Sequence, residues 1–169
     1  MESSVKLYAL SYRSITTYAA AALFAAGNLV LPQLCHLLPQ GGMTWLPIYF
    51  FTLIGAYKYG WRVGLLTAVC SPLLNSLLFG MPAPSAMPAI LLKSVLLALC
   101  AAWAAYRFKR VTWLLLLGVV ATYQLVGSLG EWAFTGSAQA ALQDLRIGYP
   151  GMITQVVGGY LFIKYLLHK

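Results

Sequence analysis

Four polar side chains in an otherwise apolar sequence stand where they can do chemistry: Asn75, Lys93, Glu131 and Arg146. Lys93 interrupts the run PAILLKSVLLALCAAWAAY, and an ammonium inside a helix of membrane length is costly enough to mark a site by default. Such a cation either pairs with a carboxylate or holds an anionic group. Glu131 is a candidate partner, and the two roles are compatible, because a ligand carboxylate can share Lys93 with Glu131. Covalent chemistry has no comparable signal. The chain contains no HExxH, no GxSxG and no GxxxxGK[ST], so neither a zinc protease, a serine hydrolase nor a nucleotide-binding loop is indicated. It is expected not to be an enzyme. Cys35, Cys70 and Cys100 lie far apart and His36 is a lone histidine in an apolar loop, so no metal site or disulfide framework is expected.

The elements that must position these groups are membrane helices. Of 169 residues 61% are hydrophobic and 8% charged, where soluble domains carry about 25% charged residues, and the mean hydropathy is +0.79. The helix bearing Lys93 starts near Pro88, since proline is well tolerated in a first turn. To Tyr106 it covers about 27 Å, close to the hydrocarbon thickness of a bilayer, and it leaves through Arg107, Lys109 and Arg110. Lys93 then sits about 8 Å inside the proline-bearing end. Apolar runs predict six transmembrane helices in an all-α protein, at about 13–31, 45–57, 61–79, 88–106, 111–134 and 147–167. The first run is at the long end for a signal-peptide core and is read as a span broken at Pro32. The second is short for a straight crossing. Pro72 should kink the third.

The net charge of +8 would raise nucleic acid as a partner in a soluble chain, but here the basic residues follow topology. With both termini cytoplasmic, Lys6, Arg13, Lys58, Arg62, Arg107, Lys109, Arg110, Lys164 and Lys169 fall on the inner side, nine of eleven, and the outer loops keep only Arg146. This is the asymmetry of the positive-inside rule. Trp45, Trp61, Trp113 and Trp132 fall near span ends, where indoles favour the interface.

Polar residues recur inside the spans at helical spacing: Gly64, Thr67, Ser71 and Asn75 on the third; Gln124, Ser128, Glu131 and Thr135 on the fifth; Gly151, Gln155 and Gly158 on the sixth. Such stripes face inward. For Thr67, Ser71 and Ser128 the simpler role is helix-to-helix adhesion. Asn75, Lys93, Glu131 and Arg146 share one depth in the outer half, which predicts a cavity. Trp45, Trp132 and Tyr149 would offer it flat apolar surface, and Gln155 a further polar contact.

On the first span, Ala21/Ala25 and Ala22/Ala26 are small-xxx-small pairs that let another helix approach closely. With six spans, a basic inner face and an outer polar layer, the whole pattern resembles the substrate-binding S components of energy-coupling factor (ECF) vitamin transporters. The resemblance implies a high-affinity binding subunit in the inner membrane, embedded in the lipid bilayer, for a vitamin or related small molecule. Its partners would be a transmembrane coupling subunit and an ATPase pair, with ATP used by those subunits and no cofactor bound here. Ala21, Ala22, Ala25 and Ala26 would dock on the coupling subunit; the loops 32–44 and 80–86 would form the pocket lid, and the outer halves of the last three helices its walls. In that setting Lys93 favours a carboxylate-bearing ligand such as biotin or pantothenate, with Glu131 and Asn75 as further contacts. The rival expectation is a structural scaffold subunit, similar in size to the membrane proteins of the bacterial rod-shape machinery, which would not need Lys93 and Glu131 at a cavity.

Overall fold

A computed structural model describes residues 6–166, and every regular element among them is helical. Four helices are long and apolar enough to cross a membrane, as in an integral membrane protein: α1 (Ile15–Cys35), α4 (Trp61–Phe79), α5 (Met87–Phe108) and α6 (Trp113–Thr135). Each buries only between 33% and 50% of its apolar stretch, so much of its hydrophobic surface points outward, where lipid and not water is the compatible solvent. The helix ends follow local chemistry. Ser14 and Thr112 cap α1 and α6 by accepting from the backbone N–H of Thr16 and Leu115, which satisfies donors that have no partner inside the helix. Pro88 opens α5. Gly80 and Gly136, at φ 69° and 66°, close α4 and α6 in the left-handed conformation that glycine adopts without penalty.

The remaining helices are shorter. After α1 come α2 (Gly41–Trp45), a 3₁₀ turn (Pro47–Tyr49) and α3 (Phe50–Tyr59). After α6 come α7 (Ala138–Ala141), α8 (Gln143–Ile147) and α9 (Tyr149–Leu161), the last continued by a π-helical turn (Phe162–Leu166). The stretch that reads as one apolar run over 45–57 is therefore interrupted. Leu46 has φ 45°, a conformation uncommon for a branched side chain, and it turns the chain between α2 and the 3₁₀ segment. Interrupted backbone at membrane depth is tolerated where protein covers it or it lines a cavity. Leu46, Pro47 and Tyr49 are buried and do line one. The last span was expected over 147–167; Leu167, like Lys169 among the basic residues, lies outside the described residues.

Pro32, expected to break the first span, is carried inside α1, which runs on to Cys35. Proline lacks an N–H and leaves the carbonyl four residues earlier without its helical partner. That carbonyl belongs to Asn28, and the Asn75 amide of α4 donates to it at 2.8 Å. The Asn28 side chain in turn donates to Thr52 and Ser71 and accepts from the N–H of Phe51 in the first turn of α3. One buried asparagine thus joins α1, α3 and α4. Pro72 is likewise accommodated inside α4.

The bundle has two chemically different ends. At one, the segment 6–14 lies along the α3–α4 turn, with Tyr8 and Leu10 donating to the carbonyls of Lys58 and Tyr59, Arg62 donating to Leu10, and the Tyr57 hydroxyl donating to the carbonyl of Arg110. This end is basic and rich in cation–aromatic contacts, including Arg62 over Trp61 at 4.6 Å. The opposite end gathers the end of α1, α2, the loop 80–86 and the α7–α8 segment around a cavity.

Candidate functional site

Lys93 reaches the cavity from the first half of α5, and its burial depends on the closeness of α6. A Cβ built on Gly127 would lie 2.5 Å from Lys93 Cγ, so the missing side chain on α6 is what leaves room for the lysine stem. The ammonium lies 2.6 Å from Glu131 Oε2 and 2.7 Å from Asp144 Oδ2. Lys93 is 2% exposed, Glu131 16% and Asp144 21%. Charge-assisted bonds of this length are the strong ones, and both carboxylates together offset the cost of burying the cation. One positive charge against two negative ones leaves the cluster at −1.

The cavity has a volume of about 600 Å³, within the size range of sites for small molecules. Its walls come from the end of α1, the Gly41–Tyr49 stretch, the loop 80–86, α5 and the α7–α8 segment, and are mostly apolar: Leu38, Met43, Ile48, Ala89 and Ile90 beside Lys93, Glu131, Asp144 and Asn75. Both loops read from the sequence as lid elements, 32–44 and 80–86, line it. Asn75 is 1% exposed. Its Nδ2 donates to the carbonyls of Asn28 and Ser71, which fixes the amide orientation, and its Oδ1 has no hydrogen-bond partner. Beneath the cavity Tyr49 packs on Tyr123, ring centroids 5.5 Å apart.

Of the residues expected to contact a ligand, Lys93, Glu131 and Asn75 meet at this cavity, and the others stand apart from it. Gln155 is buried behind it, accepting from the Tyr123 hydroxyl, to which Gln124 also donates. Trp45, Trp132 and Tyr149 are exposed along the outside of the bundle. Arg146 is exposed and Asp144, two positions earlier, takes the inward place; a two-residue step on a helix turns about 200°. Asp144 was the residue missed. The chain has only three acidic residues, and a lone buried cation needs counter-charge, so counting acids was the signal available. Tyr49 and Gln143 also line the cavity without having been expected to, and His36 lies at its exposed rim.

The four alanines of α1 line a separate shallow groove of about 330 Å³ with Tyr18, Leu29, Leu66, Cys70 and Leu74. Ala21 and Ala25 are buried, whereas Ala22 and Ala26 are exposed. Among the described residues no group of His, Cys, Asp and Glu is arranged to hold a metal ion.

Comparison of the chain with protein-family models, with characterised proteins and with solved structures gives no match. The site has to be read from its own geometry.

Proposed function

We propose that this chain is the membrane-embedded binding subunit of an importer, holding one small molecule in the cavity around Lys93, Glu131 and Asp144. The observation that carries the reading is the cavity itself: about 600 Å³, largely apolar, with a buried charged cluster and an unpartnered Asn75 oxygen. Many apolar contacts plus few fixed polar groups is the composition of small-molecule sites. A scaffold subunit has no use for such a space.

In this reading the chain crosses the inner membrane six times. The four long helices are joined by a broken crossing, α2 through α3, and by α9 with its π-helical continuation. Interrupted helices around a ligand are a recurring arrangement in transporters. Both termini are cytoplasmic, which puts the basic end inside and the cavity outside, as the positive-inside rule favours. The chain itself catalyses no covalent reaction. Energy comes from a separate transmembrane coupling subunit and an ATPase pair, as the resemblance to ECF S components implies, with Ala22 and Ala26 presenting the docking surface.

The test is thermal unfolding of the full chain in detergent, with and without a protein-free small-molecule extract of the host cells. The extract should raise the midpoint, because a ligand that binds only the folded state stabilises it by mass action. No shift with extracts from cells grown in several media would sink the binding-subunit reading.

A further inference from the structure

Lys93 is commonly the residue one would assign to an anion, yet its immediate surroundings argue the opposite. Two of its N–H groups are taken by carboxylates at 2.6 and 2.7 Å. The second oxygen of each carboxylate has no hydrogen-bond partner among the described residues, and neither has Asn75 Oδ1. The Asn75 oxygen is independent of the acidic pair: it sits on α4, is buried, and is held as an acceptor because the Asn75 nitrogen is committed to two carbonyls. Two carboxylate oxygens therefore remain at the cluster for one unused ammonium proton, and the Asn75 oxygen is a further, buried acceptor on a residue that lines the same cavity. Among the described residues no other Lys or Arg lines the cavity.

Resting on the reading of this cavity as a small-molecule site, we propose that its ligand is a cation with N–H donors on an apolar body: an ammonium, amidinium or protonated amino-heterocycle. A carboxylate entering the cavity meets a cluster already at −1 and finds a single unused N–H on Lys93, beside two carboxylates that repel it. A cation meets unfilled acceptors in surroundings where charges are weakly screened. The apolar walls then hold the body of the molecule, and the two carboxylates, kept apart from each other by Lys93, hold its charged end.

The experiment compares benzamidine, as its amidinium, with benzoate, which has the same ring and a planar end group of opposite charge. Binding of each to the full chain in detergent is measured by calorimetric titration. Benzamidinium should bind and benzoate should be at least tenfold weaker. Asp144→Asn and Glu131→Gln each remove one negative charge and should cost benzamidinium about ten- to a hundredfold, the worth of a charge-assisted hydrogen bond, while narrowing its lead over benzoate. Preference for benzoate, no binding of either probe, or benzamidinium affinity unmoved in both variants would overturn the charge assignment. The wild-type ranking stands even if a variant does not fold. A protein that extract stabilises but that prefers benzoate loses this inference and keeps the binding-subunit reading; one that no extract stabilises loses the reading itself.

Discussion

Lys93 lies between two carboxylates, Glu131 and Asp144, so removing the lysine strands two largely buried negative charges. Breaking a buried pair by deleting one partner costs about 3–5 kcal/mol. Lys93→Met should therefore lower the thermal midpoint of the detergent-solubilised protein markedly, and adding Glu131→Gln with Asp144→Asn should recover most of the loss. A single variant as stable as wild type would mean that the cluster contributes nothing to the fold. At this scale the sequence was informative wherever a polar group interrupts an apolar run: Lys93, Glu131 and Asn75 stand out for that reason, and all three reach the cavity. Asp144 does not interrupt anything. It lies in a stretch, from Thr135 to Arg146, that reads as a polar loop, and only the folding of Gln143–Ile147 into a turn of helix sends Asp144 inward and Arg146 out.

The long helices were legible because their apolar runs are of bilayer length and end at prolines, glycines or basic clusters. The short ones were not. Nothing in TWLPIYF announces a left-handed residue at Leu46, and α3 alone, at 10 residues, spans about 15 Å, half a bilayer. Pro32 was expected to stop α1, and it does not because an amide from α4 occupies the carbonyl that the proline leaves open, a tertiary contact that no local signal reports. Whether the α2–α3 and α9 segments each complete a crossing is decided by which side their flanking loops face. Single cysteines at Gln40 and Ser137 in intact cells, in a background with the three native cysteines replaced, should react with an impermeant thiol reagent, and one at Lys109 should not. Labelling of Lys109 alone would reverse the orientation; labelling of both Gln40 and Lys109 would remove the α2–α3 crossing, and labelling of both Ser137 and a further single cysteine at Lys164 would remove that of α9.

Across the whole molecule, the basic surface and the cavity lie at opposite ends. Cations and aromatic rings tie the segment 6–14 to the α3–α4 turn, while the other end converges on Lys93. Such polarity suits a protein fixed in one orientation in a membrane, and in the proposed function the cavity end is the one open to a ligand. If the proposed function holds, the space at that end is occupied by a single small molecule when the protein works. That occupancy is tested most directly by native mass spectrometry of the chain purified from its host membrane, beside an Ala86→Trp variant. Ala86 lines the cavity at its exposed edge and is not among the residues bonded to the charged cluster, so an indole there obstructs the cavity mouth and spares the ion pairs. The wild type should carry one small molecule per chain and the variant none, with both unfolding cooperatively and at similar temperature once the wild type has been stripped of its ligand. Equal loading of both proteins, or none on either across growth conditions, would mean that the cavity is not a ligand site.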